Sequence, residues 1–345
     1  MAEALRIAWV VYGSLEQISG GYIYDRLVVE ELRRSGDNVT VISLEPGATQ
    51  VSPISAADYD VLVGDELCFR ELLPLFQHAD APHRVLLIHH LTAWEHPPGA
   101  ERERLLALEK AVIDAADVCV ATSRVTADRL HAEQIALRTL VAEPGADRME
   151  RPETAGQEPS GARLRLLFIG NLLRRKRVLE LCRAFGSLST SSVELVLVGA
   201  ELEPDYASEV RLCVEQHGVR ERVRFLGPLS AADVADQLAL ADTLVLPSAL
   251  EGYGMVLSEA LWASVPVIAA RVGAAEQLVG LTGAGLLYEP DDDAALGATL
   301  GAFVADARLR WRLRQAAWQA AEMLPRWRDT ARALRATLVS SLITT

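Results

Sequence analysis

Two carboxylates, Glu251 and Glu259, stand eight positions apart in Ser248-Ala-Leu-Glu-Gly-Tyr-Gly-Met-Val-Leu-Ser-Glu259. An apolar run, Thr243-Leu-Val-Leu-Pro247, comes directly before them. The order reads as strand, glycine loop, helix start, with an acid at each end of the turn. Unpaired N–H groups and the positive end of a helix make such a turn an anion site. Gly252 and Gly254 allow close backbone approach, so Gly252, Tyr253, Gly254, Met255 and Val256 form the candidate anion-binding stretch. Glu259 falls in the second turn of an otherwise apolar helix, where a carboxylate is costly unless paired or hydrogen-bonded. A pair of sugar hydroxyls is one partner that meets the need.

Other segments carry chemistry of the same kind. Gly170-Asn-Leu-Leu-Arg-Arg-Lys-Arg177 is a basic loop after a strand. The chain holds only two lysines, Lys110 and Lys176, against thirty-two arginines. An ammonium is a compact point charge and a guanidinium a planar fork, so the lysine of this basic loop, Lys176, reads either as a place where arginine does not fit or as chance. His89 and His90 end the apolar strand Val85-Leu-Leu-Ile88, at the strand end where α/β sheets hold their site residues. Gly20-Gly21 precede a helix expected from Tyr24 and read as a mobile glycine loop or an ordinary turn. Asp291-Asp-Asp293 looks like a metal motif, but it stands before a helix, where aspartates cap N–H groups. We expect capping and no metal.

The elements that must position these residues repeat a simple pattern. Apolar runs at Arg6–Val11, Val39–Ser43, Val61–Gly64, Val85–His89, Val118–Thr122 and Leu137–Ala142 read as strands, with helical spacing at Tyr24–Arg34 and Leu105–Ala115. The pattern restarts at Leu164–Gly170, Val193–Gly199, Arg222–Leu226, Thr243–Pro247 and Val265–Ala270. Wholly apolar strands between helices mean parallel sheets covered on both faces. Residues 143–163, rich in Pro, Gly, Glu and Thr, read as a linker. The expected class is α/β with two doubly wound, Rossmann-like domains facing across a cleft, about 1–150 and 151–325. A length of 345 residues suits two such domains.

A net charge of −13 argues against nucleic acid as partner. The arginines and tryptophans of the last forty residues read as solvated helix faces with the tryptophans packed inward, so membrane association is not expected. Four scattered cysteines without metal-ligand spacing, no apolar run of spanning length and no cleavage site suggest a cytoplasmic protein.

The Glu251–Glu259 segment and the following Ala-Leu-Trp-Ala-Ser-Val-Pro-Val-Ile268 resemble the GT-B retaining glycosyltransferases of family GT4 (glycosyltransferase group 1). Phe225-Leu-Gly-Pro-Leu229, Gly283-Ala-Gly-Leu-Leu-Tyr-Glu-Pro-Asp291 and Trp327 follow the family order. Ser19-Gly-Gly-Tyr22, Ala121-Thr-Ser123 and Pro144-Gly145 extend the likeness more weakly to the N-terminal half. The resemblance implies a nucleotide-diphosphate sugar donor on the second domain, a small-molecule or glycan acceptor on the first, no cofactor, and a last helix (about 326–345) packed back on the first domain. It implies catalytic roles for Glu251, Lys176 and His89. It implies donor contacts from Glu259, residues 252–256, Asn171, Arg174 and Arg175, a donor or acceptor loop at Gly20 and Gly21, and acceptor contacts from His90, Trp94 and Tyr22. The family usually has arginine at Asn171 and glycine at Arg177. Asn171 cannot neutralise a diphosphate, which leaves that task to Arg174 or Arg175. A nucleotide-sugar 2-epimerase of the same fold and a catalytically degenerate sugar-nucleotide-binding protein are the alternatives. A dinucleotide oxidoreductase is disfavoured, since no G-x-G-x-x-G follows either domain's first strand.

Overall fold

The computed structural model describes residues 3–48, 51–136, 138–153, 163–280 and 282–344. They divide into two compact units, residues 1–145 with 325–345, and residues 146–324.

The first unit is a six-stranded sheet, order β2-β1-β3-β4-β5-β6, with every pair parallel. Its strands are β1 (Arg6–Tyr12), β2 (Asn38–Leu44), β3 (Val61–Asp65), β4 (His83–Ile88), β5 (Val118–Ala121) and β6 (Thr139–Val141). Helices α1 (Gly20–Arg34), α2 (Phe69–Phe76), α3 (Ala100–Ala115) and α4 (Arg124–Ala132) connect them. The sixth strand is shorter than expected, and Leu137 lies outside the described residues.

The second unit repeats the construction with order β12-β11-β10-β7-β8-β9, again parallel throughout. Its strands are β7 (Leu164–Ile169), β8 (Val193–Val198), β9 (Val223–Gly227), β10 (Thr243–Leu246), β11 (Val267–Ala270) and β12 (Gly285–Tyr288). Helices α5 (Val178–Gly186), α6 (Pro204–Gln216), α7 (Ala231–Ala239), α8 (Met255–Trp262), α9 (Asp293–Ala305) and α10 (Ala307–Ala320) cover it. β10 and β11 are buried along their whole length, as sheets covered on both faces require. β12 escapes a reading by pattern because three of its four residues are only half-buried.

Several expectations are corrected. Gly20 and Gly21 are not a loop: α1 starts at Gly20, behind Ser19 in extended conformation. Gly21 is there for space, since a Cβ on it would lie 3.3 Å from His89 Cδ2. Trp311 is not packed inward but 45 % exposed, whereas Trp327 is buried and Arg314, expected at a solvated face, is buried too. The Arg314 guanidinium reaches the Ala241 carbonyl at 2.8 Å, which explains a buried arginine. The stretch expected as a linker is bound where described: Arg151 donates to the Trp318 carbonyl at 2.8 Å and lies over the Trp318 ring, 4.1 Å from its centroid. Residues 154–162 of that stretch lie outside the described residues.

After Pro325 the chain forms α11 (Trp327–Thr344), which belongs to the first unit. Trp327 meets Tyr24 edge-on at 5.6 Å. Arg335 grips the buried Asp37 with two hydrogen bonds, of 2.7 and 2.9 Å. Breaking a buried pair leaves an uncompensated charge. Arg335→Ala is therefore expected to lower stability by about 3 kcal/mol and to open α11 to proteolysis. Wild-type urea stability and an unchanged cleavage pattern would refute that anchoring role.

Candidate active site

In an open parallel sheet, ligands bind beyond the carboxyl ends of the strands where the strand order reverses. In the second unit that point lies between β7 and β10, since the chain runs outward from β7 to β9 and then returns to β7's other side. The loops after these two strands, residues 170–177 and 247–254, are the ones that carry Lys176 and Glu251.

Lys176 Nζ lies 2.5 Å from Glu251 Oε1, with only 14 % and 9 % of the two side chains exposed. Burial pushes the Glu251 carboxyl up, but the Lys176 ammonium and then the Arg175 guanidinium outweigh it and hold it below the usual glutamate range. A carboxyl depressed on folding adds stability above its unfolded value and loses it as pH falls through the folded one. The ion pair is thus intact at neutral pH. One ammonium hydrogen is spent on Glu251, and an ammonium has three.

The turn that carries Glu251 is braced from below. Gly254 takes φ +87°, a left-handed conformation natural to glycine, as the N-cap of α8. Gly273 (φ +54°) packs so tightly beneath that a Cβ would lie 2.8 Å from Glu251 Cβ. The Ala274 N–H donates to the Tyr253 carbonyl at 3.0 Å. Met255 and Val256 open α8, where the first N–H groups have no partner inside the helix.

Glu259 sits in the second turn of α8, 2 % exposed, among the buried Leu257, Ala260 and Leu261. Its partner is Arg148, a residue that sequence reading left in the linker. Arg148 Nη donates to Oε2 at 2.9 Å, and Nε lies 2.8 Å from Oε1 as an ion-pair contact without hydrogen-bond alignment. Burial raises the Glu259 carboxyl above its usual range, and Arg148 only partly offsets this. No spacing links position 148 to position 259, so only the fold could reveal this pair.

The other basic residues of the 170–177 loop separate. Arg174 is exposed and paired with Glu209 at 2.5 Å, on a carboxylate of α6. Arg175 stays with the acidic turn: its carbonyl accepts from Ala249 N–H at 2.8 Å and its charge acts on Glu251. Asn171 Oδ1 accepts from the Ala200 N–H at 3.0 Å, tying the end of β7 to the end of β8. Arg177 occupies the left-handed region at φ +53°, which gives the usual glycine there a physical reason. It is held by Asp291 and, at 2.6 Å, by Asp293. Asp292 caps α9 by accepting from Ala295 N–H at 2.8 Å. All three aspartates therefore have protein partners.

In the first unit His89 follows β4 and points Nε2 at the buried Asp25, 3.3 Å away. One histidine nitrogen and one oxygen each from Asp25 and Asp65 lie within 4.8 Å of one another. His90 pairs with Glu95 at 2.7 Å. Trp94 is buried, with its indole N–H on Glu133 at 3.0 Å and Arg129 over its ring. Tyr22 is buried at the start of α1. A cavity of about 1030 Å³ opens at the opposite, amino ends of β1, β3 and β4, lined by Arg6, Asp60, Arg84 and Asp117. Its arginines are satisfied by Asp60 and Asp117, so it is not the candidate site.

The chain is similar to several known proteins. A curated relative, D-inositol 3-phosphate glycosyltransferase of Xylanimonas cellulosilytica, is 31 % identical over 241 residues, covering 66 % of this chain and 57 % of that protein. The chain thus spans little more than half the length of that relative. Among solved structures, sucrose-phosphate synthase from Thermosynechococcus elongatus matches with a TM-score of 0.83 at 21 % identity, over 99 % of this chain and 100 % of that one. HepE of Anabaena, in complex with UDP and glucose, matches with a TM-score of 0.80 at 19 % identity, over 97 % of this chain and 100 % of that one. The fold is therefore of the GT-B class, built from two Rossmann-like α/β domains. Residues 151–320, which contain Lys176, Glu251 and Glu259, match the family model for glycosyl transferases group 1. The second unit is therefore a group 1 glycosyltransferase domain.

Proposed function

We propose that this protein is a retaining glycosyltransferase that moves a sugar from a nucleotide-diphosphate sugar to a hydroxyl acceptor. The observation that carries this reading is the buried Lys176–Glu251 pair at the strand-order switch, beside the N-terminus of α8. A cation and peptide N–H groups converge there with a carboxylate, which suits a diphosphate joined to a polyol. The UDP bound to HepE supports the same donor class.

The second unit holds the donor. N–H groups at Gly254–Val256 face the distal phosphate, Lys176 and Arg175 supply positive charge, and Glu251 accepts from hydroxyls of the transferred sugar. Arg175, rather than Arg174, is the arginine that compensates for Asn171, because Arg174 is committed to Glu209. Glu259 accepts from the ribose hydroxyls, which requires Arg148 to yield at least one carboxylate oxygen. In the reaction the bond between the sugar's anomeric carbon and the diphosphate oxygen breaks, and its electron pair leaves with the phosphate. A bond to the acceptor oxygen forms on the same face, and the acceptor's proton passes to the departing phosphate. Lys176 stabilises the charge that builds on the leaving group. His89, His90, Trp94 and Tyr22 are the ligand-binding candidates of the first unit. The same reading includes a cytoplasmic location. Among the described helices none is long and apolar enough to cross a membrane.

The test is a thermal-shift panel of UDP, GDP, ADP and TDP, followed by turnover of the matching sugar donors and analysis of the product anomer. At least one nucleotide should stabilise the wild type, and Glu259→Ala should lose most of that shift, since a ligand stabilises only as far as it binds. Equal shifts in both proteins would remove Glu259 from the nucleotide site. A product of inverted configuration would overturn the retaining assignment.

A further inference from the structure

In the first unit the strand order reverses at β1, with β3 and β4 on one side. Asp65 ends β3, Glu66 follows it, His89 follows β4, and Asp25 comes from α1. The imidazole of His89 has one place to be. Its Nε2 is 3.3 Å from Asp25 Oδ1, while Asp25 Oδ2 accepts from the Trp9 indole at 3.2 Å. The His89 backbone N–H donates to Glu66 Oε2 at 3.0 Å, and its carbonyl accepts from the Thr126 hydroxyl at 3.2 Å. The Tyr24 ring closes one side, 5.3 Å away and edge-on. Asp25 is fully buried and Asp65 1 % exposed. Nδ1 has no hydrogen-bond partner among the described residues, and the ring retains 13 % exposure.

Three acids buried together around one imidazole cannot all stand uncompensated. Burial, then Glu66 and Asp25, push the Asp65 carboxyl well above its usual range. Burial alone would pull the His89 imidazole down, but Glu66, the Asp25 hydrogen bond and charge, and Asp65 outweigh it and hold it up at about 10. The titratable neighbours Tyr22, Tyr24 and Cys68 are all pushed up by burial and stay neutral.

We propose that Asp25 is a positioning residue: through Nε2 it keeps the His89 ring charged, and so presents Nδ1–H as a fixed donor to a hydroxyl oxygen of the sugar ligand. This rests on the reading of His89 as a ligand-binding residue. A neutral imidazole carries hydrogen on one nitrogen only, so with Nε2–H given to Asp25 its Nδ1 would be an acceptor. The charged ring donates from both nitrogens, and the ligand oxygen must then accept. A group raised on folding contributes stability fully below its unfolded value, 6.5, and loses it as pH climbs toward about 10. The charged ring therefore persists through the neutral range.

Ring ¹⁵N–¹H NMR tests the proposal directly, since the chain has seven histidines and His89→Gln identifies the signal. His89 should remain doubly protonated through about pH 8. Asp25→Asn should lower its titration by about one unit or more, while Asp65→Asn should leave it charged at neutral pH. A neutral His89 in the wild type at pH 7, or an Asp25→Asn ring that titrates as wild type, overturns the proposal. Turnover is then followed with the nucleotide sugar whose nucleotide gives the largest thermal shift. Asp25→Asn should approach wild type near pH 6 and fall about tenfold behind it by pH 8; a deficit equal at every pH marks a purely structural role and overturns the proposal. Undiminished turnover of His89→Gln would instead sink the ligand-binding reading of His89, with the NMR result standing. Stoichiometric Zn²⁺ binding that Asp25→Asn abolishes would also overturn it, because ligation needs the Nε2 lone pair that the charged ring lacks.

Discussion

Lys176→Ala is expected to lower kcat for the sugar donor by about 10²–10³-fold while changing the donor KM far less. The reason is where the ammonium sits. It is held 2.5 Å from Glu251, with 14 % of the side chain exposed, in surroundings that screen charge poorly. Its pairing with Glu251 exists before the reaction, so the ground state gains little from it. The charge that appears on the leaving diphosphate is new, and a fixed cation stabilises it without reorganisation. Lys176→Arg separates charge from shape: a planar fork keeps the charge but not the point geometry, so its rate should fall between the other two. Steady-state kinetics on both variants, with melting temperatures to exclude unfolding, provide the check. An unchanged kcat for Lys176→Ala would remove this lysine from the mechanism. A loss seen wholly in KM would make it a binding group only.

Arg148→Ala should be the most destabilising single change at the candidate site, by about 3–5 kcal/mol at neutral pH. Glu259 would remain, 2 % exposed and without Arg148, the one cation paired with it among the described residues. The deficit has a pH signature. Burial already raises the Glu259 carboxyl, and without Arg148 it would rise further. The variant's penalty is therefore full above its raised folded value and narrows in acid, where Glu259 takes a proton in both proteins. Urea denaturation across pH measures it. The double variant Arg148→Met/Glu259→Leu should recover much of the lost stability, since a packed apolar pair can replace a buried ionic one, yet it should not respond to nucleotide. A small penalty for Arg148→Ala that does not vary with pH would mean that water reaches Glu259 and that the pair is not closed.

The two predictions bear on one another through the position of α8. Its N-terminal turn carries the N–H groups proposed to meet phosphate, and Glu259 one turn further on is tied to Arg148. A loosened α8 would also disturb the Glu251 turn, which Gly273 supports from beneath. A modest rate loss in Arg148→Ala at temperatures where it is folded would report that coupling. The much larger loss should belong to Lys176→Ala, whose fold is less at risk because Arg175 still acts on Glu251.

Much of this protein is determined by local sequence. Strands such as Val61–Asp65 and Thr243–Leu246 are apolar at nearly every position, and only a sheet covered on both faces accommodates that. Glu251, the glycines after it and Glu259 could be assigned to turn and helix because their spacing is short and the segment runs from an apolar strand through a glycine turn into a second apolar stretch. Lys176 stood out as one of two lysines and, of these, as the one at the position the family resemblance marks. Arg148 and Asp25 did not, because their partners are 111 and 64 positions away and nothing local demands them. The same holds for Gly21 and Gly273, where a Cβ would crowd His89 and Glu251, residues brought close from distant loops. Arg174 and Arg175 are neighbours of one type, and only their surroundings send one to Glu209 and leave the other beside Glu251. A sequence can specify which segments form and which faces they bury, since both depend on residues a few positions apart. Which charges meet, and which proton a buried ring keeps, depends on the low-dielectric setting that tertiary packing creates.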